Sequence, residues 1–109
     1  MQMIDWKRYA LDMFGYEMIS TFGSDFDIAD SFGAAAVKDT FARAFAEWRT
    51  EYKYLTELVM VLNWKSAQHY QAGNIAMAKL YADLWEQADQ WACENLQGEE
   101  LQYFYRATD

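Results

Sequence analysis

Large apolar side chains recur at intervals of four and three between residues 41 and 62. This spacing places them on one face of an α-helix. The stripe consists of Phe41, Phe45, Trp48, Tyr52, Leu55, Val59 and Leu62. Towards its end Met60, Val61 and Trp64 fall on the opposite face, so residues 58–62 are apolar on all sides. A helix that is apolar all round is buried all round, and the sequence therefore predicts a central helix here.

The residues that interrupt helices are scarce. The chain contains no proline and five glycines in 109 residues, and 53% of its residues are hydrophobic. That length is sufficient for one hydrophobic core, and the composition excludes a disordered chain. We predict an all-α single domain over residues 1–109, built as a bundle of four or five helices.

Near the N-terminus the pattern predicts two helices. The first covers residues 3–22 and ends at Gly23. A short second helix covers residues 25–32, and Ser24 or Asp25 can cap its start because a short oxygen-bearing side chain accepts from free backbone N–H groups.

From residue 34 the apolar pattern continues to residue 72. A single helix of that length would extend roughly 58 Å, which is long for a domain of this size. We therefore expect a bend or short loop within residues 49–54. The alternative is one long helix that forms the seam of a dimer.

Gly73 and Asn74 mark the clearest boundary in the chain. Glycine closes one helix in a left-handed conformation, and asparagine caps the next. The following helix, over residues 75–96, should pack antiparallel to a central helix over residues 55–70. A last short helix is expected over residues 99–106.

The formal net charge of −8 is concentrated at the two ends of the chain. Residues 1–30 carry a net −4, residues 31–82 a net +2 and residues 83–109 a net −6. Such a field repels nucleic acid and anionic membranes and attracts basic proteins. The candidate partner-binding residues in the C-terminal part are Asp83, Glu86, Asp89, Glu94, Glu99 and Glu100. They form either an ordinary solvated helix face or a phosphate-like array for a basic surface.

A second acidic cluster consists of Asp25, Asp27 and Asp30. Closely spaced oxygen ligands are typical of calcium sites, but the glycine and distal glutamate of a calcium loop are missing. Acids also favour a helix N-terminus, which is the preferred interpretation. The cluster is kept as a candidate partner-binding site, with no metal.

No arrangement of residues predicts catalysis or a cofactor. His69 is the only histidine, Cys93 is the only cysteine, and neither has a plausible catalytic partner in the sequence. A single cysteine excludes an internal disulfide, and we see no secretory signal or membrane-spanning run. We expect a cytoplasmic protein without enzymatic activity.

Several segments together resemble a group of small, acidic, helical proteins of gut Firmicutes that are encoded among conjugative-element or phage genes. The likeness covers most of the chain and contains no catalytic motif. The segments are residues 24–33, 36–41, 52–63, 69–70, 99–101 and 108–109. The resemblance implies a mobile-element origin, where small acidic inhibitors of host defence of the anti-CRISPR or anti-restriction type are common.

Two functional hypotheses follow. The first is a non-enzymatic binding protein that inhibits a nucleic-acid-handling defence complex by contacting a basic protein surface. The alternative is a structural or assembly protein that forms a homodimer or docks on a larger particle. For that alternative Met60, Val61 and Trp64 are the candidate apolar interface, since they face away from the main stripe.

Overall fold

The computed structural model describes residues 16–108, with side chains from Phe22 onward, and this part of the chain is a bundle of helices. No strand occurs among the described residues. The predicted all-α class is confirmed, and the part of the predicted first helix before Tyr16 lies outside the described residues. The helices are α1 (Tyr16–Phe32), α2 (Ala34–Trp48), α3 (Tyr52–Gln71), α4 (Ile75–Asn95) and α5 (Glu99–Thr108).

Helix α1 runs through Gly23 without interruption, so the predicted boundary there is wrong. A glycine inside a helix costs about 1 kcal/mol relative to alanine. Phe22, Phe26 and Ala29 are buried on one side of α1 and hold it against the core, which offsets that cost. Asp25 consequently lies inside a helix, and the expected capping of a new helix at this point does not occur.

The predicted break within residues 49–54 is confirmed. Helix α2 ends at Trp48, the Glu51 N–H donates to the Trp48 carbonyl at 2.9 Å, and α3 begins at Tyr52. The Trp48 ring stacks on Tyr54 with centroids 4.4 Å apart, which holds the two helices together across the turn. The alternative of one continuous long helix is therefore wrong.

The turn between α3 and α4 is the one that the sequence predicts. Gly73 has φ of +82°, and the Asn74 side chain accepts from the Met77 N–H at 3.4 Å. Beyond the turn the Ser66 hydroxyl donates to the Ala78 carbonyl at 2.8 Å, as expected for two antiparallel helices. These two helices share the largest interface in the described chain.

Helix α3 forms the centre of the bundle. It contacts each of the other four helices, and every residue from 55 to 62 is buried. Met60 and Val61 are buried together with the main stripe, and Trp64 is half-buried. An interface on Met60 and Val61 would therefore require the bundle to open.

A search of the described helices for a membrane span found none with the necessary length and apolar character.

Candidate binding surfaces and a buried polar network

An exposed acidic face lies on α4 and the start of α5. Asp83, Glu86 and Glu94 share one side of α4, because their spacing of three and eight residues matches the helical repeat. The Tyr105 hydroxyl lies 3.7 Å from Cys93 Sγ, which places α5 beside the end of α4. We define the acidic face as the exposed residues Asp83, Glu86, Glu94, Glu99 and Glu100.

The carboxylates of the acidic face have no cationic partner within residues 16–108. The ion pairs found there involve Arg43, Lys65 and His69 instead. Glu94 accepts a hydrogen bond from the neutral Gln90 amide at 3.2 Å. Among residues 22–108, no basic side chain therefore neutralises the negative charge of this face.

The remaining predicted acids lie elsewhere. Asp89 is half-buried and falls on a different side of α4. Asp25 is exposed beside α2, and Asp27 and Asp30 point from α1 towards α3. The structure thus exposes five of the six C-terminal acids, three on one side of α4 and two at the start of α5, and places the three acids of α1 on another helix.

An apolar groove borders the acidic face. It lies between α2 and α4, has a volume of about 620 Å³, and has Asp83 on its α4 side. Arg49 forms part of the α2 side, with its guanidinium 5.7 Å from the Phe45 ring and 5.9 Å from the Trp91 ring. The floor of this α2–α4 groove consists of Phe41, Phe45, Leu80 and Leu84.

Lys65 lies at the centre of a polar network that joins α1, α3 and α4. Its side chain is buried, and Nζ contacts Asp27 at 2.8 Å, Asp30 at 2.5 Å and Gln68 at 3.0 Å. The Tyr81 hydroxyl donates to Asp30 at 2.5 Å. Lys65 and Asp27 are 38 positions apart in the sequence, Asp30 and Tyr81 are 51 positions apart, and the fold brings them together.

His69 completes the network. Its Nε2 lies 3.0 Å from Asp30 Oδ2, and because an ionised carboxylate can only accept, Nε2 carries the proton. Its ring stacks on Tyr81 with centroids 5.4 Å apart. His69 is therefore a partly buried histidine with a hydrogen-bond partner.

The network perturbs two pKa values. Burial alone would raise the pKa of Asp30, but hydrogen bonds from Lys65, Tyr81 and His69 and the charge of Lys65 outweigh it, so the pKa lies below its usual range. The pKa of Tyr81 is raised by burial and by the adjacent Asp30 carboxylate. Asp30 is consequently ionised and Tyr81 protonated at neutral pH.

The network connects α1, α3 and α4. Lys65 has three partners for its three N–H groups, and both Asp30 oxygens accept from neighbouring side chains. Asp27 and Asp30 already share a cation, and residues 16–108 contain no group of three or more acids, histidines or cysteines placed to hold a metal ion. Such tightly satisfied clusters fix the arrangement of elements in a core.

Glu57 is an unusual buried residue, and no sequence pattern predicts its burial. Its side chain is inaccessible, and neither carboxylate oxygen has a hydrogen-bond partner. Burial raises its pKa to about 9. Glu57 is therefore neutral at pH 7 in the folded chain.

Comparison of the chain with protein-family models, curated proteins and solved structures gave no significant match.

Proposed function

We propose that the chain is a non-enzymatic binding protein of mobile-element origin that inhibits a host nucleic-acid-handling defence complex. Its acidic face contacts a basic surface that would otherwise bind nucleic acid. The observation that carries this proposal is a group of exposed carboxylates that have no cationic partner in the described part of the chain, Asp83, Glu86, Glu94, Glu99 and Glu100.

Charge density indicates that carboxylates alone are insufficient. Asp83, Glu86 and Glu94 are spread over about 16 Å of helix, whereas duplex DNA carries one phosphate per roughly 1.7 Å of its axis. Competition with DNA therefore needs a further contribution. The adjoining α2–α4 groove supplies an apolar floor, and protein interfaces combine such a floor with a charged rim.

The two sides of the groove differ in charge, which supports a defined orientation of the partner. Lys38 and Arg49 lie on the α2 side, and Asp83 lies on the α4 side. A partner segment with a basic edge over α4 would satisfy the acidic face while its apolar side chains contact Phe45 and Leu84. Complementary charge of this kind determines register and association rate.

The test is inhibition of purified CRISPR and restriction nucleases. We expect wild-type protein to block cleavage, and Glu86→Lys combined with Glu94→Lys to weaken inhibition by about tenfold or more. The matched control is Glu47→Lys with Glu51→Lys, which changes the net charge equally at exposed positions outside the acidic face. Equal inhibition by both double variants would remove the acidic face from the mechanism.

A second candidate function, assembly through a second copy of the chain, is favoured by the tip of the α3–α4 hairpin. Tyr70 and Ile75 are both exposed there, on the two sides of the turn. Sedimentation at several concentrations separates the two functions. A monomer at all concentrations would exclude assembly, and a dimer lost on Tyr70→Ser with Ile75→Ser would establish it.

A further inference from the structure

Two large apolar side chains of α1 are strongly exposed. Phe32 is 78% exposed and Ile28 is 61% exposed, and they are one turn apart on the same side of the helix. Isolated exposed apolar residues are common on protein surfaces, whereas a pair beside a concave site indicates binding.

These two side chains border a groove between α1 and α2. The α1–α2 groove has a volume of about 290 Å³, and small residues, including Ala29, Ala36 and Thr40, line it. A cavity of 150 Å³ is sufficient for a benzene ring, so this groove can accept a large apolar side chain.

Gly33 connects the two helices directly after the groove residue Phe32. Gly33 has φ of +103°, and a Cβ built at this position would meet no atom within 4 Å. An incoming backbone can therefore approach the helix junction closely. The same φ restricts this position to glycine, because other residues rarely adopt it.

The electrostatics of the groove favour a cationic partner. Helix α1 has no basic residue in its last turn, so the negative end of its dipole is not compensated there by a side chain of that turn. Asp25 is exposed at the rim. Across the groove Asp39 pairs with Arg43 at 3.3 Å, but both side chains are about 70% exposed, and a pair of this kind exchanges readily for another cation.

A second copy of the chain does not fit this surface. A two-fold contact would bring together two exposed Asp25 carboxylates and two helix C-termini that lack a basic residue, on chains that each carry a formal charge of −8. We therefore propose that the α1–α2 groove is a docking site for a basic, amphipathic segment of another protein. The segment inserts one large apolar side chain between Phe32 and α2 and places a lysine or arginine near Asp25. This site is separate from the acidic face and does not depend on the proposed inhibition.

The test uses a synthetic amphipathic helix of leucine and lysine as the probe, labelled for fluorescence anisotropy. We expect Ile28→Ser with Phe32→Ser to weaken binding by about tenfold, and Asp25→Lys by several-fold. The control variant, Tyr70→Ser with Ile75→Ser, removes two similarly exposed apolar side chains and should bind like wild type. Circular dichroism confirms that all variants are folded.

Amide NMR shifts on titration of the probe provide the second measurement. We expect the largest changes at Ala29, Gly33 and Ala36. Three results would overturn the proposal: equal loss of binding in both double variants, equal binding of a glutamate–leucine peptide, or shifts confined to α4 and α5. Concentration-dependent self-association abolished by Ile28→Ser with Phe32→Ser would also overturn it, in favour of a second copy as occupant.

Discussion

Helix α3 carries two buried ionisable side chains, Glu57 and Lys65, and only Lys65 has hydrogen-bonding partners. Lys65 reaches two carboxylates and an amide oxygen, whereas Glu57 has no hydrogen-bond partner. The two lie about 12 Å apart along one helix. Lys65 is held by an ion pair, and Glu57 avoids burying a charge by keeping its proton.

Lys65 therefore stabilises the fold, whereas Glu57 destabilises it at neutral pH. The Lys65 network joins three helices, and loss of Lys65 would leave the partly buried Asp30 carboxylate without its lysine. Glu57 has no hydrogen-bond partner. Because the unfolded chain ionises this carboxyl at neutral pH, its burial lowers the free energy of unfolding there. Three substitutions test this contrast, and each has a matched variant at an exposed position.

The largest effect is expected for Lys65→Met. It removes the cation but leaves Asp30 in place, and breaking a buried pair in this way destabilises by about 3–5 kcal/mol. Urea unfolding at pH 7 measures the change. Lys79→Met, at an exposed lysine, should alter the free energy of unfolding by less than about 0.5 kcal/mol.

Adding Asp30→Asn to Lys65→Met sharpens this first test, since the asparagine no longer buries an unpaired charge. We expect the double variant to regain part of the lost stability. A single variant as stable as wild type would contradict the structural role of the network.

The next effect is a gain in stability for Glu57→Met. The unfolded chain ionises Glu57 above its ordinary pKa of 4.5, but the folded chain retains the proton up to about pH 9. Folding therefore takes up a proton between these values, and wild-type stability falls as the pH rises through this window. At pH 7.5 the methionine variant should be more stable by about 2–4 kcal/mol.

Urea unfolding at pH 7.5 and at pH 5 measures this second effect. The difference between Glu57→Met and wild type should shrink at the lower pH. Glu47→Met, at an exposed glutamate of α2, should show no comparable dependence on pH. A methionine variant that is less stable than wild type at pH 7.5 would show that the Glu57 carboxyl has an unrecognised partner.

The smallest effect is expected for Tyr81→Phe. It removes the hydroxyl that donates to Asp30 and keeps the ring that stacks on His69, at a cost of about 1–2 kcal/mol. Asp30 stabilises the fold above its ordinary pKa of 3.8, and this contribution is lost as the pH falls through its lower folded pKa. Without the tyrosine hydroxyl, acid unfolding should begin at a higher pH.

Acid titration followed by circular dichroism measures this shift. Tyr70→Phe, at an exposed tyrosine, serves as the control and should leave the midpoint unchanged. Identical midpoints for Tyr81→Phe and wild type would show that Lys65 and His69 alone maintain the Asp30 carboxylate.

The boundaries of the helices were predictable where local chemistry determines them. The turn at Gly73 and Asn74 follows from backbone conformation and side-chain capping, and the break after Trp48 follows from the length of the pattern. The expected boundary at Gly23 was wrong because burial of Phe22 and Phe26 outweighs one glycine. Local propensity decides only where tertiary packing does not.

The buried polar residues were harder to predict. Lys65 falls on the same helical face as Leu58 and Leu62, so its spacing did carry a signal of burial. Its partners lie on other helices, and no spacing rule identifies them. Glu57 lies directly before residues 58–62, the segment that the sequence predicts to be buried, but a single glutamate there gives no indication of whether it has a partner.

The hairpin turn also has a consequence for the order of folding. Helices α3 and α4 share the largest interface, and Ser66 and Ala78 need only a 12-residue separation to meet. The hydrogen bonds of Asp30 with His69 and Tyr81 close loops of 39 and 51 residues. Loop-closure entropy therefore favours early formation of the α3–α4 pair and late docking of α1. In native-state hydrogen exchange, α1 should open in a smaller, separate step while α3 and α4 remain protected.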